Sequence, residues 1–198
     1  TEGAASYVNT ATTTGAASLL VTADSQYLLT NNIEATRLEA EELLTAAGFR
    51  LLVNPWHGPA TAAAEVTGGL RLAADGPVEG AKDLGGQVAE LHLPLTAAEV
   101  GRFRELGRSC AGAMDAAIRQ VEPGMTEYEI AGLLATETYA RGAVPIVNLI
   151  ATDERIFRYR HPLPTSKRLD RYAMLVLCGR QKGLVASITR LIHFGRLP

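Results

Sequence analysis

Carboxylates are missing from the end of this chain: from Arg171 to Pro198 there are five Lys or Arg residues and no Asp or Glu. A catalytic site on that stretch has no acid of its own to use. Cysteine is scarce as well. Cys110 and Cys178 are too few and too far apart for a disulfide framework or a zinc cluster, and both read first as small buried hydrophobes. No apolar run approaches the roughly 20 residues that cross a bilayer. The opening "TEGAASYVNT" lacks the charged-then-apolar layout of a signal peptide. These absences lead us to expect a soluble, cytoplasmic protein with no membrane partner. The missing initiator Met and the abrupt "HFGRLP" end lead us to expect a fragment.

What is present is ample for a packed core, with 47% hydrophobic residues in a chain of 198. The net charge of -2 conceals an asymmetry. Residues 155–198 hold ten Lys or Arg against one acid, Asp170, and carry +9; residues 1–154 hold nine against twenty and carry -11. A basic segment of this kind can meet nucleic acid. Here the charges are interleaved with strand-like apolar residues, with neither a basic helix nor an aromatic stacking pattern, so no nucleic-acid partner is expected. The basic end instead reads as a surface that faces acidic groups outside this sequence.

Two textures follow one another along the chain. "AASLLVTADSQYLLT" gives two β-like runs around Ala23, Asp24 and Ser25, a hairpin pattern. Asn32 then reads as the cap of a helix that carries Leu38, Leu43 and Leu44 and stops at Gly48. "FRLLVNPW" is a strand, "TAAAEVTGGL" a short helix and "RLAAD" a further strand. Alternation of this sort predicts a small α/β domain over residues 1–92.

The second texture, from residue 93 to 198, opens with complete helix signals. Thr96 and Glu99 form a capping box. Val100, Phe103, Leu106, Cys110, Met114, Ala117, Ile118 and Val121 keep the spacing of one buried helical face, and "EPG" ends it. The devices recur at once in "GMTEYEIAGLLATETYARGA", with Thr126 paired to Glu129 and Met125 to Ile130. Beyond these helices come the strand "VPIVNLIAT", a polar arginine-rich loop containing "RHPLPT", and two strands, "LVLC" and "LVASITR", around a basic turn that contains glycine.

The succession "VEPGMTEYEIA", "RHPLPTSKRL", an apolar strand, a glycine turn and "ITR" resembles the pita-bread fold shared by aminopeptidase P, prolidase, methionine aminopeptidase and creatinase, peptidase family M24. The upstream "LLVTADSQYLLTNNIEATRLEAEE" is similar to the creatinase-type amino-terminal domain that precedes it. The resemblance implies an α/β (α+β) chain, with a creatinase-like domain over residues 1–92 and the amino-terminal half of a pita-bread domain over 93–198. It also implies a homodimer, and no activity from these residues in isolation, because the family builds its site between two halves.

In that family two aspartates, one before the glycine turn and one shortly before "TR", help to hold two divalent metal ions (Mn, Co or Zn) that activate water. Aligned on "ITR", the second falls at Ser187 and the first at Val176, or at Cys178 with a small gap. Neither acid is present, so no metal cofactor is expected from this chain. His161 in "RHPLPT" matches the histidine that creatinase uses to break a C–N bond without metal. It has two readings, a proton-transferring catalyst or a histidine hydrogen-bonded at a strand end. Arg190 could take a substrate carboxylate or form a structural ion pair. Arg160, with Arg158, could serve an anionic substrate group or form a solvated basic loop, and Cys178 could be a thiolate in this basic setting. His57, His92 and His193 read as structural.

The functions implied are an Xaa-Pro aminopeptidase- or dipeptidase-like hydrolase with its metal-ligand aspartates replaced; a metal-free creatinase-like hydrolase using His161; or a non-catalytic binding or assembly homologue. The substrate implied is a small peptide or a small C–N compound.

Overall fold

The computed structural model describes residues 17–42, 44–59 and 61–196, in two compact units that divide between Leu95 and Thr96. No helix among them is long and apolar enough to cross a membrane.

In the first unit, β1 (Ser18–Val21) and β2 (Gln26–Asn31) form an antiparallel hairpin. The turn is closed by the Thr22 amide on the Ser25 carbonyl at 2.9 Å and the Ser25 amide on Thr22 Oγ1 at 3.1 Å. β2 then pairs in parallel with β3 (Phe49–Asn54) through the crossover helix α1 (Ala35–Glu41). This βαβ unit buries Leu28, Leu38 and Leu44 against Ala17, Leu19, Phe49 and Leu51. The remaining elements are α2 (Ala62–Thr67), the short parallel pair β4 (Ala73–Ala74) and β5 (Lys82–Asp83), and α3 (Gly85–Leu91).

The start and end of α1 differ from the sequence expectation. Asn32 is not its cap. The Asn32 amide donates to the Asn54 carbonyl at 3.0 Å and its Oδ1 accepts from the Trp56 amide at 2.7 Å, so the residue extends the parallel β2–β3 edge. Asn31 turns the chain instead, its Oδ1 accepting from the Ile33 and Glu34 amides at 2.9 and 3.2 Å. The helix ends at Glu41, well before Gly48, whose φ of +83° serves the turn into β3. Leu43, assigned to that helix from sequence, lies outside the described residues.

The second unit consists of α4 (Ala97–Ile118), α5 (Glu127–Tyr139), β6 (Val144–Thr152), α6 (Glu154–Arg158), β7 (Tyr172–Gln181) and β8 (Leu184–His193). Both long helices start at the expected capping boxes. Thr96 Oγ1 accepts from the Glu99 amide at 3.2 Å while Glu99 Oε2 accepts from the Thr96 amide at 2.7 Å, and Thr126 and Glu129 repeat the arrangement at 3.2 and 2.6 Å. Three strands in the order β6-β7-β8 form an antiparallel sheet, and α4 and α5 cover one of its faces. Leu106, Cys110, Met114, Ile130 and Leu134 from the helices meet Ile150, Leu175 and Leu177 from the strands in one buried cluster.

Two glycines are dictated by geometry. A Cβ at Gly179 would run into Cys110 Sγ, so the close approach of α4 to β7 at that point requires glycine. Gly183, with φ of 78°, follows Lys182 at 46° in a two-residue turn whose paired positive φ values match a tight hairpin. The loop between β6 and β7, expected to be without regular structure, contains the short helix α6.

Candidate functional site

Successive side chains along a strand alternate between the two faces of a sheet, and residues paired across neighbouring strands share a face. In β7, Ala173, Leu175, Leu177 and Gly179 are buried toward the helices, and Met174, Val176 and Cys178 emerge on the other face. The two-residue turn fixes the register of β8, setting Cys178 opposite Ser187 and Val176 opposite Thr189. Cys178 Sγ and Ser187 Oγ are 3.1 Å apart, a direct hydrogen bond. Leu149 of β6 lies beside Val176, and Val147 beside Cys178. The positions singled out at Cys178 and Ser187 therefore meet, with Val176 one pleat away on the same face. Neither β7 nor β8 contains an Asp or Glu, and among the described residues no three His, Cys, Asp or Glu side chains cluster as a metal site would require.

Arg190 is not part of this group. It pairs with Leu175, whose side chain is on the helix-covered face, so parity sends Arg190 to the opposite side of the sheet from Ser187. It is exposed there, with Nη1 donating to the Thr189 carbonyl at 2.8 Å. His193 stacks edge-on against Tyr172, ring centres 5.8 Å apart. Burial pushes the Cys110 thiol up from its ordinary pKa, as suits a core residue.

His161 stands elsewhere in the second unit, exposed in the loop between β6 and β7. With Arg155, Tyr159, Pro162, Leu163 and Thr165 it lines an open cleft of about 280 Å³. Arg160 precedes it in sequence and is exposed, but does not line the cleft. This loop is irregular yet firmly held, and what holds it begins with helix α5. The amides of Glu127 and Tyr128, without partners inside their own helix, donate to the carbonyls of Lys167 and Thr165 at 3.0 and 3.2 Å. The Leu169 amide donates in turn to the Met125 carbonyl at 2.8 Å.

Glu127 itself is the residue that sequence reasoning missed. Its side chain is 0% exposed, and a buried carboxylate is costly unless both oxygens are satisfied. Oε1 accepts from the Thr152 amide at 2.8 Å, Thr152 Oγ1 at 3.0 Å and Arg155 Nε at 3.0 Å. Oε2 accepts from the Thr165 amide at 2.9 Å and Thr165 Oγ1 at 2.6 Å. One carboxylate thus pins both ends of the segment that carries His161. The only local signal was an acid in the first turn of a helix, a common feature with a bland explanation.

Asp153 holds the same loop from its other side. Its backbone has φ of 51°, a strained value for a residue with a Cβ. Its carboxylate accepts from the Asp170, Arg171 and Tyr172 amides at 3.0, 3.0 and 2.9 Å, with Lys167 Nζ at 3.7 Å. Burial alone would raise its pKa, but the three amides and the nearby ammonium outweigh burial and hold the group below the ordinary aspartate value.

The sequence model of metallopeptidase family M24 matches residues 101–198. No curated protein sequence matches. Among solved structures the chain is similar to an Xaa-Pro dipeptidase from Bacillus anthracis, with a TM-score of 0.73 and 19% identity over 99% of this chain and 59% of that one. It is similar also to an X-Pro aminopeptidase from Thermotoga maritima (TM-score 0.72, 15% identity, 91% of this chain, 56% of that one). A prolidase from Pyrococcus horikoshii gives a TM-score of 0.71 at 17% identity, over 99% of this chain and 59% of that one. The chain therefore spans less than two thirds of the length of these structures, and over that span it has their mixed α/β, pita-bread-type fold. Its second unit, built of paired capped helices on an antiparallel sheet, belongs to metallopeptidase family M24.

Proposed function

We propose that this chain contributes to a peptidase-like hydrolase acting on a short peptide of the Xaa-Pro kind or a small C–N compound, with His161 moving the proton. Residues 1–92 act in this reading as the creatinase-like amino-terminal domain, residues 93–198 as the first half of the catalytic domain, and the working protein is a cytoplasmic homodimer. The observation that carries the reading is the Cys178–Ser187 pair, 3.1 Å apart on two strands without a carboxylate, in a chain of family M24. A thiol, a hydroxyl and the neighbouring Val176 are a poor donor set for a pair of hard divalent cations, which take carboxylate oxygens. The sheet face thus does not fit the metal pair that the family implies.

An imidazole in an open cleft can pass a proton to or from substrate or water. Two assays on the full-length protein test this. After chelation, turnover of Xaa-Pro dipeptides or of an amidino compound should persist, and His161→Ala should lower it by about 100-fold or more. Full turnover in that variant would remove His161 from the mechanism. Stoichiometric Mn or Co binding in a calorimetric titration would overturn the loss of the metal site.

A further inference from the structure

The cleft that contains His161 also holds a guanidinium with unused donors. Arg155 Nε donates to Glu127 Oε1 at 3.0 Å and its Nη2 to the Leu163 carbonyl at 2.9 Å. The group lies over the Tyr159 ring, 5.1 Å from its centre. A guanidinium has five N–H donors, and Nη1 has no hydrogen-bond partner among the described residues. Its side chain keeps 19% of its exposure and lines the cleft.

Arg155 is fixed at two points and stacked on a ring, so it has surrendered its rotamer freedom before any ligand arrives, and binding costs correspondingly less. Glu127, the acid that fixes it, is wholly buried, accepts from five donors and does not itself line the cleft. None of the lining residues is acidic, and Tyr159, Pro162 and Leu163 supply apolar wall. One fixed guanidinium against apolar surface suits a singly charged, planar carboxylate with an apolar neighbour better than a phosphate, which gathers several donors.

We propose that Arg155 is the carboxylate-binding group of this cleft, and that its ligand is the free carboxyl end of a short peptide whose terminal side chain is apolar. The assignment rests on reading the cleft as a substrate site, and it replaces Arg190 and Arg160 in the carboxylate-binding role. Glu127 is then a positioning residue, which acts through Arg155.

The test is an NMR titration of the full-length protein with N-acetyl-leucine and, separately, with N-acetyl-leucinamide, which differ only in the charge of the terminal group. The acid should shift the Arg155 Nε–H and His161 ring signals and bind about tenfold or more tightly than the amide, the scale of one charge-assisted hydrogen-bond pair. Arg155→Met should erase that preference, and Glu127→Gln should reduce it with Arg155 still present. Equal affinity for acid and amide in the unsubstituted protein would overturn the proposal even if Arg155→Met fails to fold. So would an acid preference that survives in Arg155→Met. An acid preference without any turnover would support the carboxylate site while sinking the hydrolase reading, and turnover without an acid preference would do the reverse.

Discussion

Both units of this chain are built around a three-stranded sheet, and the sheets are secured very differently. The first relies on a parallel β2–β3 pair and a seven-residue crossover helix, and the N-cap residues of α1, α2 and α3, Glu34, Thr61 and Leu84, make no side-chain cap bond. Its core cluster is three leucines with partly buried neighbours. The second has helices of 22 and 13 residues, each begun by a full capping box, over an antiparallel sheet joined at β7–β8 by a two-residue turn. Local devices worth about 1 kcal/mol each add there to one continuous core, whereas the first unit depends on a few long-range contacts. The unit with the more locally determined structure is also the one that carries a pinned loop and a candidate site.

Removing core from the second unit should narrow that contrast most. Leu134→Ala, at a site with 0% exposure, should destabilise by about 3–4 kcal/mol. Native-state hydrogen exchange should then show the β7 amides, more protected than those of β2 in the unsubstituted protein, falling toward them. If β2 is already the better protected strand, the comparison is wrong.

Glu127→Ala tests the pinned loop. The variant strips five donors of their acceptor, and a cost of about 3 kcal/mol is expected from the buried amides left unpaired. Faster proteolysis between Thr152 and Thr165 should accompany it, and an intact loop would show that the carboxylate does not set its position. Thr126→Ala removes one cap and should cost about 1 kcal/mol in a urea titration.

The smallest effect is a dependence on pH. Asp153 has a folded-state pKa below its ordinary value, so its contribution is fully present above that ordinary value and is lost as pH falls through the lower, folded one. Glu129, lowered chiefly by the Thr126 amide, acts in the same direction. The urea midpoint should drop on going from neutral pH into the range below the ordinary aspartate pKa. Asp153→Asn should flatten that drop, and an unchanged slope would remove Asp153 as a contributor.

Much of the second unit was legible because its signals are short-range. Thr96 with Glu99 and Thr126 with Glu129 are three residues apart, and the "QKGL" turn is read within four. The first unit was harder. Asn31 and Asn32 are neighbours of one residue type, and only the parallel partner strand, which supplies the Asn54 carbonyl and the Trp56 amide, decides which of them turns the chain. The candidate site divides in the same way. His161 and the missing carboxylates were visible in the sequence, but Glu127 was not, since its partners lie 25 to 38 residues further along.

The two capped helices, the hairpin strands that follow them and the absence of acids on those strands are legible without a structure, because periodicity, capping and composition act within a few residues. The folded chain alone brings Cys178 to Ser187, turns Arg190 to the other face, and lets Glu127 clamp Arg155 beside His161. Strand register and burial set those outcomes, and both depend on residues far apart in the chain coming into contact.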